Sequence, residues 1–330
     1  MISFLFVVFC LYCFSLIANK LGFQYSSFDQ SKTQGLKGIM SVLIILYHLT
    51  NIAQVKFLSV FDSWGAPIVS VFFLISGYGL MLSYLKKRDS YLNGFLRKRL
   101  PNVLIPLITL SALYIFLLYL DTGLIPENIF SNLIDNGITI LPFSWFSYCI
   151  IIFYLAFFLV FSLKALNINA KTTLMFVITF SLMIYTYMKG FGREWWVSSL
   201  AFPTGLVLGL FVEKKIYPYT KGKFWSIFFI PLCCLLLAGI VKSGNELLFA
   251  FAYIIIPLMI FHLMQFVKLK NKILEFLGKI SYELYLIHGM WIFLLRGQTI
   301  YFNSEYLFAL SVLILTIISA TFFNRLFAKI

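Results

Sequence analysis

The sequence predicts an all-α polytopic membrane protein, a bundle of about eleven transmembrane helices with the N-terminus outside and the C-terminus inside. Three observations predict it. First, 61% of the 330 residues are hydrophobic and 12% are charged, with a mean hydropathy of +0.94, whereas an ordinary soluble domain is about one quarter charged. Second, the apolar residues fall into runs close to the ~20 needed to cross a hydrocarbon core: 2–20, 38–57, 65–84, 101–120, 143–163, 172–188, 196–212, 224–241, 246–266, 280–295 and 304–326. Third, the segments 20–37, 85–100, 164–171, 213–223, 267–279 and 325–330 hold 21 of the 26 Lys and Arg residues, leaving Lys56, Lys189, Arg193, Lys242 and Arg296 on the other side. That asymmetry is the positive-inside pattern. It assigns the crowded side to the cytoplasm and explains the net charge of +14 without a nucleic-acid footprint. Asp62, Asp121, Glu127, Asp135, Glu194, Glu246 and Glu305 make the outer face weakly acidic.

The first run lacks a basic leading segment and a small-residue cleavage pattern, and its first cation, Lys20, follows the apolar stretch; it reads as a retained helix, not a signal peptide. All five cysteines, Cys10, Cys13, Cys149, Cys233 and Cys234, fall inside predicted spans, an arrangement that fits neither a disulfide framework nor a metal site.

The second run, GLKGIMSVLIILYHLTN from Gly35 to Asn51, carries the main chemical signal. Lys37 and His48 are eleven residues apart, about three helical turns, so they share a face, with His48 about 16 Å further along the axis. An ionisable group at that depth is costly and usually functional, although a His satisfied by a neighbouring helix and a Lys anchoring a helix end would produce the same spacing. Asn51, one turn beyond His48, is placed to bond to it or to a ligand. In the third run, VSVFFLISGYGL, the small residues Ser76, Gly77 and Gly79 permit close approach of either another helix or an extended ligand.

The cytoplasmic stretch KKRDSYLNGFLRKRLPNVLIP concentrates Lys86, Lys87, Arg88, Arg97, Lys98 and Arg99 just ahead of Pro101, a residue suited to a first helical turn. Topology alone accounts for the cluster; a phosphate-bearing ligand, gripped by guanidinium groups, would also suit it. The outer loop 121–142 leads into Trp145, Phe146 and Tyr148, and a second outer cluster holds Arg193, Glu194, Trp195 and Trp196, with Pro203 and Gly205 expected to interrupt the helix that follows. Such aromatics serve as interfacial anchors or as sugar-stacking surfaces, and broken helices tend to line cavities. The tenth run opens GKISYELYLIHGMW, placing Glu283 and His288 deep in the bilayer, with His288 about 14 Å in. Two imidazoles and one carboxylate are therefore expected to converge near the midplane. His262 reads as structural.

Four segments together resemble the integral-membrane acyltransferase family 3, and within it the O-acetyltransferases of bacterial surface polysaccharides. LKGIMSVLIILYH resembles the family's basic residue, ten intervening residues and His; FFLISGYGL resembles its FFxxSG motif; FLRKRLPNVLIP resembles its basic segment before a helix; and ISYELYLIHG resembles its late SYxxYLxH motif. The resemblance runs from about Leu36 to Phe323, giving an acyltransferase domain over 36–330 and an additional N-terminal helix over 1–21. One departure is Lys37 where the family usually has Arg, which replaces a bidentate grip with a point charge.

The resemblance implies a multi-pass protein of the bacterial cell membrane that moves an acetyl group from cytoplasmic acetyl-CoA to a hydroxyl of an exported polysaccharide or its lipid-linked precursor. It implies no metal and no nucleic-acid partner, and is compatible with a homodimer. A neutral His is the usual base near pH 7, so His48 takes that role. Glu283 and His288 orient it or bind acceptor. Lys37, Arg97, Lys98 and Arg99, with Ser76 and Tyr78 of the FFxxSG segment, hold the donor, while Asn51, Trp145, Trp195 and Trp196 meet the acceptor. The rival reading is a transporter or flippase of a lipid-linked glycan or small solute, with His48, Glu283 and His288 as a proton relay; the chain shows no paired inverted repeat to support it.

Overall fold

The computed structural model describes residues 3–8, 10, 30–213, 223–264 and 271–328. Most of the first predicted run, Cys13 and the stretches 20–29, 214–222 and 265–270 lie outside the described residues. Each predicted run from 38 to 326 meets a helix: α1 Gln30–Asn51, α2 Gly65–Lys87, α3 Pro101–Thr122, α4 Trp145–Ser162, α5 Ile168–Met188, α6 Ala201–Glu213, α7 Lys223–Ser243, α8 Glu246–Leu263, α9 Ser281–Leu294 and α10 Glu305–Phe327. No strand occurs among the described residues; a single bridge pairs Arg296 with Tyr301. Among the described residues seven segments are long and apolar enough to cross a membrane: α2, α3, α4, α5, the stretch Glu194–Glu213 that includes α6, α8 and α10. The protein is an all-α polytopic membrane protein.

Local chemistry sets the helix ends. Pro101 occupies the first turn of α3, where its missing N–H costs no hydrogen bond, and Gly123 closes that helix at φ +72°. Asn167, Asn245 and Ser304 accept from free N–H groups at the starts of α5, α8 and α10, satisfying donors that a helix cannot pair internally. Helix α9 has 14 residues, about 21 Å at 1.5 Å per residue, and is shorter than a hydrocarbon core. A short helix, Lys272–Lys279, precedes it, and the chain turns at Ile280.

Helices α2 and α6 form the tightest contact. A Cβ on Gly77 would overlap the Phe202 carbonyl oxygen, and one on Gly205 would overlap that of Leu74, so the two backbones touch because both positions lack side chains. Pro203 lies in the first turn of α6 and does not break it; the expected interruption falls earlier, between the one-turn helix Glu194–Val197 and Ala201. Gly77 is therefore a helix-packing residue. The Gly77→Val substitution is expected to force the helices apart, at about 1–3 kcal/mol or more for overpacking, and to lower the unfolding temperature in detergent by several degrees. An unchanged transition would contradict the backbone contact.

Phenylalanines fill the adjoining core, with Phe153 stacked on Phe202 at 4.7 Å and Phe157 on Phe161 at 4.1 Å. The short helix Phe95–Arg99 is pinned by buried Phe95 against Phe157 and Phe158. This anchor leaves Arg97 and Lys98 exposed and Arg99 half-buried, with the Arg99 guanidinium donating to the Tyr91 hydroxyl at 3.0 Å. At the opposite end of the bundle, the Gln298 and Thr299 N–H groups donate to the Asp121 carboxylate at 3.1 and 2.6 Å, and the Lys56 N–H donates to Glu305 at 3.0 Å.

Candidate active site

A cavity of about 770 Å³ opens at that opposite end, where the end of α1, the starts of α2 and α8, the 136–143 segment and the 192–198 turn meet. Its walls mix aromatic and polar groups, among them Tyr47, Asp62, Trp145, Glu194 and Tyr253, and His48 and Tyr285 also contribute. Planar rings beside carboxylates and amides are a surface suited to a polyhydroxylated ligand, which offers apolar C–H faces and many O–H donors.

His48 sits near the end of α1, and the N–H groups of Ile52 and Ala53 both turn back to its carbonyl, at 3.0 and 3.3 Å. Its side chain is 8% exposed. The imidazole stacks on the Phe143 ring at 3.8 Å and 16°, and its centroid lies 5.0 Å from that of His288. His288 is fully buried, and its Nδ1 lies 3.3 Å from the Leu284 carbonyl oxygen. That contact assigns the ring proton of a neutral His288 to Nδ1, leaving Nε2 as an acceptor. His48 Nδ1 and His288 Nε2 are buried and have no hydrogen-bond partner among the described residues. Unpaired buried polar atoms are rare enough that each calls for an explanation. Two adjacent imidazoles, each with an open nitrogen and one facing a cavity, can accept and hand on the proton of a bound hydroxyl.

The basic end supplies a second cluster. Lys37 is half-buried on α1, and the Arg99 guanidinium lies close enough to repel its ammonium. The two cations thus share one neighbourhood, about 16 Å along α1 from His48. Such a concentration of positive charge suits an anionic ligand. Among the described residues no group of three or more His, Cys, Asp or Glu side chains is arranged to hold a metal ion.

The acyltransferase domain of acyltransferase family 3 matches residues 25–325. The chain belongs to this family. No curated protein and no solved structure matches it. As a member of the family it is a membrane acyltransferase, and the matched residues include every candidate site residue named above.

The acyltransferase places the residues expected from sequence unevenly. His48 and His288 come together, and Trp145 and Asn51 line the same cavity. Asn51 donates to Asp62 at 3.2 Å and not to His48. Glu283 does not join the imidazoles: it lies five residues before His288, about 140° away around the helix, and accepts from Asn324 of α10 at 3.1 Å. Trp195 and Trp196 are buried; the Trp195 indole N–H donates to the Gly137 carbonyl at 2.9 Å, and Trp196 packs edge-on to Tyr187. The one-turn helix Glu194–Val197 turns both indoles inward and leaves the preceding Arg193 and Glu194 on the cavity wall. Tyr78 is buried against Phe261 of α8, and Ser76 is half-buried in mid-α2; neither lines the cavity.

Around the site lie residues that sequence reasoning did not single out. Tyr282 donates to the Val103 carbonyl at 3.0 Å and contacts the Ser147 hydroxyl at 3.1 Å, joining α9 to α3 and α4. Phe143 stacks on the His48 ring, and Tyr285 lines the same cavity with its ring 6.0 Å from that of His288. The two tyrosines were visible as part of SYELYLIHG, but nothing in the sequence marked Phe143.

Proposed function

We propose that this membrane acyltransferase is an O-acetyltransferase of a bacterial cell membrane, moving acetyl from acetyl-CoA to a hydroxyl of a surface polysaccharide or its lipid-linked precursor. The observation that carries the reading is the position of His48: a nearly buried imidazole at a cavity lined by aromatic and hydrogen-bonding groups, with an unpartnered Nδ1. An alcohol attacks a thioester slowly until a base takes its proton. In the proposed reaction the acceptor oxygen bonds to the thioester carbonyl carbon as His48 receives the hydroxyl proton. The C–S bond then breaks, and the departing thiolate takes that proton, leaving an ester and free CoA. His288 supports the His48 imidazole, and Trp145 stacks on the acceptor sugar.

Arg97, Lys98, Arg99 and Lys37 receive the donor, whose phosphates need fixed cations. The positive-inside pattern puts these residues on the cytoplasmic side, where acetyl-CoA is made. The purified protein in detergent, given acetyl-CoA and a polysaccharide fragment, is expected to release CoA thiol in proportion to acceptor; no acceptor-dependent release would overturn the assignment. The double substitution of Arg97→Ala with Arg99→Ala is expected to raise the KM for acetyl-CoA about tenfold or more, the scale of one lost charge-assisted hydrogen bond, with little change in kcat. An unchanged KM would reduce both arginines to a topological role.

A further inference from the structure

We propose that Tyr285 is a positioning residue for His48, its hydroxyl holding the Phe143 turn in the conformation that keeps the Phe143 ring stacked on the imidazole. The proposal rests on the acyl-transfer reading above only for its kinetic consequence. Phe143 has φ +63°, a left-handed conformation that a bulky side chain rarely adopts and that persists only where surrounding contacts enforce it. Those contacts come from one face of α9. The Tyr285 O–H donates to the Phe143 carbonyl, and the Phe146 N–H donates to the same hydroxyl at 3.3 Å. One oxygen thus bridges both sides of the turn that leads into α4.

Four residues further along, Gly289 provides the space. A Cβ there would come within 2.9 Å of Phe143 Cδ2 and of Pro142 Cβ, and 3.0 Å of the Pro142 carbonyl oxygen. Between them, His288 faces the same aromatic ring at 5.5 Å and 21°. Tyr285, His288 and Gly289 recur about one turn apart on α9, and together they form the seat for the 142–146 turn. The consequence is felt at His48, whose ring lies 3.8 Å from Phe143 and whose Nδ1 has no hydrogen bond among the described residues to fix its plane. Phe143 borders both the His48 cavity and a neighbouring one of about 340 Å³, so its ring stands between two spaces into which the imidazole would otherwise rotate.

Loss of the hydroxyl should let Phe143 relax toward negative φ and release His48. The test reads His48 directly, through its rate of modification by diethyl pyrocarbonate in the full-length protein, mapped by peptide mass spectrometry. Tyr285→Phe and Phe143→Gly are each expected to speed modification of His48 several-fold. Glycine accepts the φ but supplies no ring. The double variant should be no faster than either single one, the signature of a shared mechanism. The same single variants should lower kcat roughly tenfold, since misaligning a catalytic group acts on the chemical step, while leaving the KM for acetyl-CoA unchanged. If Tyr285→Phe does not fold, Phe143→Gly alone decides, because ring removal without backbone strain must still expose His48. Modification at the wild-type rate in the folded variants, with only a lower unfolding temperature, would overturn the positioning role. Faster modification in proteins that release no CoA, wild type included, would keep that role and reject acyl transfer.

Discussion

His48→Ala is expected to lower kcat for CoA release by about 10²–10⁴-fold, the range that a positioned general base contributes, with folded yield close to wild type. The small structural effect follows from location. The ring borders an open cavity and its Nδ1 has no hydrogen-bond partner among the described residues, so truncation enlarges an existing space and orphans none of them at that atom. A coincident loss of activity and yield would point to a packing role. Undiminished turnover in the folded variant would remove His48 from the chemistry. The transporter reading predicts no thiol release from either protein.

His288→Phe is the second large expected effect. Phenylalanine keeps an aromatic ring, larger and six-membered, in a site with no exposure, and it removes both nitrogens, so the bond from Nδ1 to the Leu284 carbonyl and the open Nε2 are lost while the extra volume is expected to cost about 1–3 kcal/mol of stability. We expect kcat to fall by about 10–10²-fold, less than for the base itself because a group acting through another supplies part of its effect. The KM for acetyl-CoA should not move, since the cations assigned to the donor lie at the far end of α1. A reduced kcat accompanied by an equal rise in donor KM would place His288 in binding and not in support of the base.

How much of this was legible in the sequence depends on the range of the interaction. Helix positions were legible because apolar backbone must satisfy its own hydrogen bonds in lipid, which makes a run of about 20 apolar residues nearly synonymous with a helix. The register of Lys37 and His48 followed from 100° per residue within one helix. The same arithmetic separates Glu283 from His288, and applying it between them would have placed Glu283 on another face of α9. Contacts between helices were legible only through depth, which put His48 and His288 at one level but fixed none of the side-chain geometry. The approach of His48 to His288 required the seating of α1 against α9, and the burial of Trp195 and Trp196 depended on a one-turn helix whose rotation no periodicity reveals in four residues. Phe143 was least legible of all, because its left-handed backbone is imposed by a tyrosine 142 residues away in the chain.

In the proposed reaction the acyl donor enters at the end bearing Arg99 and Lys37, while the accepting hydroxyl waits in the cavity beside His48. Sealed vesicles containing the purified protein in one orientation, with isotopically labelled acetyl-CoA on the side of Arg99 and a polysaccharide fragment on the other, test it directly by mass spectrometry of the fragment. Labelled acetyl ester is expected on the fragment with wild-type protein and none with His48→Ala. Acetylation that occurs only when donor and fragment share one side, or that survives in His48→Ala, would contradict it.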